Sequence, residues 1–169
     1  TAAADICDPP RVMVVLDKSS SMQTGTIAGV TKWNIAVGAL DSVLTEYQDA
    51  AAFGLMTFPQ PSQCAPGELD VSPDLMARNS IMSVLGSPPP STGNWTPMAQ
   101  TLEMAALEPS LQPTDVPRFV ILITDGWQWC SPYDASTRFD GVDAVTQLNA
   151  VGVTTYVVGF GGAVDTAAL

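Results

Sequence analysis

The sequence predicts an open α/β fold, a mostly parallel sheet with helices on both faces. Two runs, residues 12–16 (Val-Met-Val-Val-Leu) and 119–123 (Phe-Val-Ile-Leu-Ile), are apolar at every position, as strands buried on both faces must be. Segments of helical periodicity lie between the strand-like runs, and strands that alternate with helices build parallel sheets. The 169 residues are 46% hydrophobic and 14% charged, which suits one domain with a real core and not a disordered chain.

The first strand is residues 12–16, which end at Asp17. From Thr31 the period changes to 3.6, and Trp33, Val37, Leu40, Val43, Leu44 and Tyr47 stack on one face of an amphipathic helix that ends near Tyr47. Trp33 is expected in the core. Residues 51–58 read as a second strand stopped by Pro59, and 59–67 as turn material around Cys64. Residues 68–72 suit a short edge strand. A helix over 75–85 is predicted from Leu75, Met76, Ile81, Met82 and Leu85, with Gly86 closing it.

Residues 87–94 form a stiff loop rather than a domain linker, because the alternation resumes directly after it. Thr96-Pro97 opens a helix through Met98, Leu102, Ala105 and Ala106, with proline in the first turn, where its missing N–H does no harm. The apolar strand 119–123 leads into Thr124-Asp125-Gly126, and a helix over 139–150 and a strand over 153–158 complete the alternation. Residues 164–169 read as an N-cap and the first turn of a helix, so a last helix and an edge strand are expected outside this sequence. The expected organisation is a lead-in over residues 1–10 and one domain over 11–169, incomplete at its C-terminal side.

Composition removes several function classes. Six basic residues against 17 acidic ones give a net charge of −11, so no basic face can be built for nucleic acid or anionic lipid. Histidine is absent, which removes Ser-His-Asp and Cys-His catalysis and histidine-ligated zinc or haem. No apolar run reaches the roughly 18 residues of a membrane-spanning helix, so no membrane insertion is expected. Residues 1–7 show no basic stretch followed by an apolar one, so a signal peptide, if there was one, has been removed. Only two lysines, Lys18 and Lys32, and surface segments rich in small and polar residues suit an exported protein.

The informative segment is Asp17-Lys-Ser-Ser-Ser-Met. A carboxylate and two hydroxyls, on Ser19 and Ser21, beyond a strand end can point three oxygens at one spot. Hard oxygen ligands select magnesium, manganese or calcium over softer metals. Thr96 could add a hydroxyl and Asp125 a second carboxylate, since ligands of open α/β folds bind beyond the carboxyl ends of the strands. The plain alternative is a polar strand-to-helix loop in which Ser19 or Ser21 caps a helix and Asp125-Gly126 is a simple turn.

In this order and context, Asp17, Ser19 and Ser21, then Thr96, then Asp125, the chain resembles the von Willebrand factor A domain, also called the integrin I-type domain. The likeness runs from Val12 to about Gly161. The resemblance implies a metal-ion-dependent adhesion site. Ser19 and Ser21 would bind the ion directly, Thr96 and the two aspartates directly or through water, and an acidic group of the partner would complete the shell. The implied cofactor is a divalent cation, Mg2+ first and Mn2+ or Ca2+ next. Ser20 stands where relatives often have glycine, which removes no ligand.

Trp95, Trp127 and Trp129 flank the proposed ligands and are candidates for gripping a partner or a sugar, against the plain reading that at least one packs over the loop. Lys18 is expected to be a solvated loop charge. Cys64 and Cys130 lie in loops after the second and fourth strand-like segments, at one edge of the sheet, where a bridge between them would staple the rim of the site. Cys7 would be left over. Three reduced thiols are the alternative.

The leading expectation is a non-enzymatic adhesion module, secreted or at the cell surface, part of a larger chain or assembly and bacterial. Its metal would bridge to a carboxylate on a protein or surface ligand. An intracellular metal-dependent scaffold is the alternative, and a phosphoryl-transfer enzyme with Asp17 or Asp125 as nucleophile or base the third reading. The last is weakened because Ser19 stands where a dehalogenase-type site needs its second aspartate, and because no phosphate-binding glycine loop follows the first strand.

Overall fold

The computed structural model describes residues 8–61, 63–113, 115–162, 164–165 and 167–168. Strand β1 (Arg11–Asp17) is followed by the short helix α1 (Ser20–Thr24), a two-stranded ribbon of β2 (Thr26–Ile27) and β3 (Val30–Thr31), and the long helix α2 (Lys32–Tyr47). Then come β4 (Ala52–Phe58), β5 (Glu68–Asp74), α3 (Arg78–Leu85), α4 (Met98–Leu107), β6 (Arg118–Thr124), α5 (Asp140–Ala150) and β7 (Thr154–Gly159). The main sheet runs β5-β4-β1-β6-β7, parallel throughout except for the antiparallel pair β4–β5. The predicted edge strand is β5.

β1 is apolar at successive positions because its alternating side chains feed two cores. Met13 and Val15 pack with Met56, Phe58, Val120 and Leu122 beneath Leu102 of α4 and Leu148 of α5. Val12, Val14 and Leu16 pack on the other face with Phe53 and Leu55 beneath Trp33, Leu40 and Leu44 of α2 and Ile81 of α3. Trp33 is therefore core, as expected. The Thr31 hydroxyl caps α2 by accepting from the Asn34 N–H at 3.2 Å.

Four expectations are corrected in detail. The helix predicted from residue 75 begins at Arg78, because Leu75 and Met76 form a turn. There the Leu75 N–H donates to the Asp74 carboxylate, the Met76 N–H donates to the Gln48 carbonyl, and Met76 takes a left-handed φ of 59°. Val43 and Tyr47 of α2 are exposed rather than stacked on the core. Phe139 ends a short 3-10 turn and is exposed, and α5 starts after it. β6 is buried on one face only, since Phe119, Ile121 and Ile123 alternate as half-buried residues, and the neighbouring Tyr156 and Val158 of β7 are exposed.

Cys7 and the other residues of 1–7 lie outside the described residues. Near the end of the chain, the Asp165 carboxylate accepts from the Ala167 N–H and the Asp165 carbonyl from the Ala168 N–H, so a capped turn forms there.

Candidate metal centre

β1 and β6 are parallel neighbours in register, with Leu16 opposite Ile123, so their carboxyl ends reach the same edge of the sheet. Asp17 closes β1 and Asp125 directly follows β6, and both are almost wholly buried. That placement follows from the two apolar strands. Once the runs are paired in parallel, the residues that end them must meet.

Ser19 and Ser21 enter from the turn into α1. The Ser19 N–H donates to Asp17 Oδ1 at 2.6 Å, which folds the backbone back over the carboxylate. The hydroxyls of Ser19 and Ser21 are 2.9 Å apart, and the Ser21 hydroxyl donates to Asp125 Oδ1 at 2.8 Å. With the Ser21 proton committed to Asp125, the Ser19 hydroxyl is the donor between the two serines. A hydrogen-bonded line thus runs from Asp17 through the Ser19 N–H, and from the Ser19 hydroxyl through the Ser21 hydroxyl, to Asp125.

Thr96 reaches the same place from the loop before α4. Its backbone forms an isolated bridge with Trp129, N–H to carbonyl in both directions at 2.9 and 3.1 Å. Ser19, Ser21, Thr96 and Asp125 line one recess of about 340 Å³, and Asp17 lies beneath it behind Ser19. All five residues expected from the sequence are therefore gathered at one edge. Among the described residues, no three carboxylate, thiol or imidazole groups gather as a metal cluster, so any ion held here relies on hydroxyls besides its two carboxylates. That donor set, oxygen only, fits a hard divalent cation.

The loop positions are themselves tied down. Asn94 spans the rim: its side-chain amide donates to the Lys18 carbonyl at 3.2 Å, its N–H donates to the Ser20 hydroxyl at 3.1 Å, and its carbonyl accepts from the Ser20 N–H at 3.0 Å. Cys64 and Cys130 form a disulfide, with Cα atoms 5.8 Å apart, as expected. It joins the loop after β4 to the loop after β6.

Three residues that act here escaped the sequence reading. Lys32 is buried, and its ammonium donates to Asp125 Oδ2 at 2.5 Å. Its stem lies between Gly25 and Gly161, where a Cβ would sit 2.7 and 2.9 Å from Lys32 Cε. A cation in the first turn of a helix opposes the helix dipole, and that oddity was the one available signal. Thr124, buried at the end of β6, donates its hydroxyl to Asp17 Oδ2 at 2.7 Å. Asn94 is the third. Lys18 differs from expectation: it is half-buried, with Nζ 5.8 Å from the centroid of the Trp33 ring, a cation–π contact rather than a solvated charge.

Burial pushes the Asp17 carboxyl up from 3.8 to about 6, and the nearby Asp125 charge adds to this. Hydrogen bonds from Ser19 and Thr124 act against the rise.

Trp95, Trp127 and Trp129 are half-buried and line the recess. Trp95 and Trp129 meet edge to face with centroids 4.7 Å apart, and Trp129 stacks on Tyr133 at 6.2 Å.

A family model described as the von Willebrand factor type A domain matches residues 12–169. No curated protein sequence matches the chain. Several solved structures share the fold. Proximal thread matrix protein 1 from the mussel byssus, in a structure with a zinc-occupied MIDAS motif, aligns with a TM-score of 0.71 at 19% identity over 95% of this chain and 38% of its own. A von Willebrand factor type A protein from Catenulispora acidiphila gives 0.66 at 19% identity, covering 95% of this chain and 35% of its own. The pilus adhesin SpaC from Lactobacillus rhamnosus GG gives 0.66 at 16% identity, covering 89% and 24%. The chain thus spans between 24% and 38% of the length of these three structures.

Proposed function

The chain belongs to the von Willebrand factor type A domain family, and from that premise we propose that it is a non-enzymatic, divalent-metal-dependent binding module of an exported protein. Asp17, Ser19, Ser21, Thr96 and Asp125 would hold the cation. A carboxylate of the partner would complete the shell. The observation that carries this reading is the connected line from Asp17 through Ser19 and Ser21 to Asp125, opening on a recess that Thr96 also lines.

Charge supports the carboxylate. Two aspartates and Lys32 leave the cluster at −1, so a bound divalent ion would bring it to +1, a local attraction for an anion in a partly dry site. The ion would supply Lewis acidity towards that anion. Oxygen-only ligands support magnesium first, with manganese and calcium next; the zinc in the mussel protein's structure makes zinc a fourth ion to test. The disulfide supports an oxidising compartment, outside the cell or at its surface. A non-enzymatic role is supported by how the site's own groups are engaged: the chain has no histidine, Lys32 is committed to Asp125, and Asp17, raised to about 6, accepts from the Ser19 N–H and the Thr124 hydroxyl and does not line the recess. Trp95, Trp127 and Trp129 would grip the partner beside the ion.

The test is calorimetric titration of metal-stripped protein with Mg2+, Mn2+, Ca2+ and Zn2+, comparing wild type with Ser19→Ala/Ser21→Ala. Saturable binding that is lost in the double variant, with an unchanged circular dichroism spectrum, is expected. No binding by the wild type overturns the reading.

A further inference from the structure

The recess beside the metal ligands is lined by the oxygen cluster together with three tryptophans. Outside the expected ligand set, the polar side chains lining it among the described residues are Ser20 and Asn94, and each already makes hydrogen bonds within the protein. The Ser20 hydroxyl accepts from the Asn94 N–H, and the Asn94 amide group donates to the Lys18 carbonyl and accepts from the Gln63 N–H. A sugar needs several partners for its hydroxyls, and outside the ligand set this lining offers two partly engaged side chains and the indole N–H groups. A flat apolar side chain needs only the rings.

Overall charge narrows the choice further. At −11 the chain repels a polyanion such as a sulfated polysaccharide at long range, whereas a single carboxylate flanked by apolar groups meets only the local field of the ion. Two of the tryptophans are also held in advance. Trp129 is bridged to Thr96 through both backbone groups, the Trp95 N–H donates to the Gln63 carbonyl at 2.9 Å, and Cys130, next to Trp129, is bonded to Cys64. Little ordering remains to be done on binding.

We infer that the occupant of this recess is a segment of a partner protein that presents an aspartate or glutamate directly beside an aromatic side chain, the carboxylate going to the ion and the ring to Trp95 and Trp127. The inference rests on the metal-binding reading above and adds the class of ligand.

Three small carboxylates separate the possibilities: 3-phenylpropionate, acetate and glucuronate, titrated into Mg2+-saturated protein with detection by tryptophan fluorescence and by NMR shifts. The expected result is Mg2+-dependent binding of 3-phenylpropionate about tenfold tighter than acetate, with glucuronate no tighter than acetate. Trp95→Ala and Trp127→Ala should each erase most of that advantage while leaving Mg2+ affinity unchanged, which also shows that the variants fold. Equal affinity for all three carboxylates, with Mg2+ still bound, overturns this inference and leaves the metal reading standing. Tightest binding of glucuronate overturns it in favour of an acidic sugar. Failure of Mg2+ itself to bind removes the metal reading, and this inference falls with it.

Discussion

The ammonium of Lys32 lies 2.5 Å from Oδ2 of Asp125, with both groups buried at the edge of the sheet. Asp125 thus divides its oxygens, giving Oδ2 to a resident cation and Oδ1 to the Ser21 hydroxyl on the recess side. The lysine offsets one of two adjacent buried carboxylates without entering the recess. That arrangement separates the stability of the site from its capacity for a metal.

Lys32→Met should therefore weaken the metal-free protein by about 3–5 kcal/mol, the cost of leaving a buried charge unpaired. Saturating Mg2+ should recover part of that loss, because the ion takes over the compensation of Asp125. Urea denaturation of both proteins in chelator and in Mg2+ checks this. An equal loss under both conditions would mean that Lys32 contributes only packing.

Metal binding should depend on pH through Asp17. Its carboxyl is raised to about 6 in the fold from 3.8, so the folded protein binds a proton more tightly than the unfolded chain does. In metal-free protein this group's stabilising contribution is full below about pH 3.8 and is lost as pH rises through about 6. Mg2+ needs the deprotonated carboxylate, so its affinity should be level above about pH 6 and fall below it, by up to about tenfold per unit. Titrations at half-unit steps between pH 5 and 8 would read the bend.

Thr124→Val removes the hydroxyl that donates to Asp17 Oδ2 at 2.7 Å. A hydrogen bond to a charged group contributes about 1.5–3 kcal/mol, so the bend in Mg2+ affinity should move up by about one pH unit or more. Thr124→Ser should keep the bend in place. A variant whose bend stays where the wild type has it would show that this hydrogen bond does not hold the carboxylate charged.

The Cys64–Cys130 bond, with a sequence separation of 66, should stabilise the fold by roughly 4 kcal/mol in the chain-entropy account. Cys64→Ala/Cys130→Ala is expected to show a lower urea midpoint and to keep Mg2+ binding, since neither cysteine lines the recess. The same variant should lose discrimination among carboxylates, because the loop carrying Trp129 is released. Thiol titration of the unfolded wild type, with and without reductant, would confirm the pairing.

Much of the centre was legible because it sits where local patterns end. The apolar runs before Asp17 and Asp125 mark strands, and two parallel strands place their last residues together whatever lies between them. Thr96 was readable for the same kind of reason, standing before the proline that opens α4. The helix start misread at residue 75 shows the limit of periodicity. Leu75 and Met76 are apolar at helical spacing, but a turn off the edge strand takes their backbone instead.

What the sequence by itself determined is the alternation of strands and helices, the two carboxylates at strand ends and the hydroxyls beside them. Each of these is written in a few neighbouring residues. The tertiary structure alone decided that Lys32 meets Asp125 across 93 positions, that Thr124 meets Asp17 across 107, and that three tryptophans line one recess, with Trp95 against Trp129. Such pairings depend on the order and register of β1 and β6 and on how α2 packs over them. Many distant contacts set that geometry together, so no short stretch of sequence carries its signal.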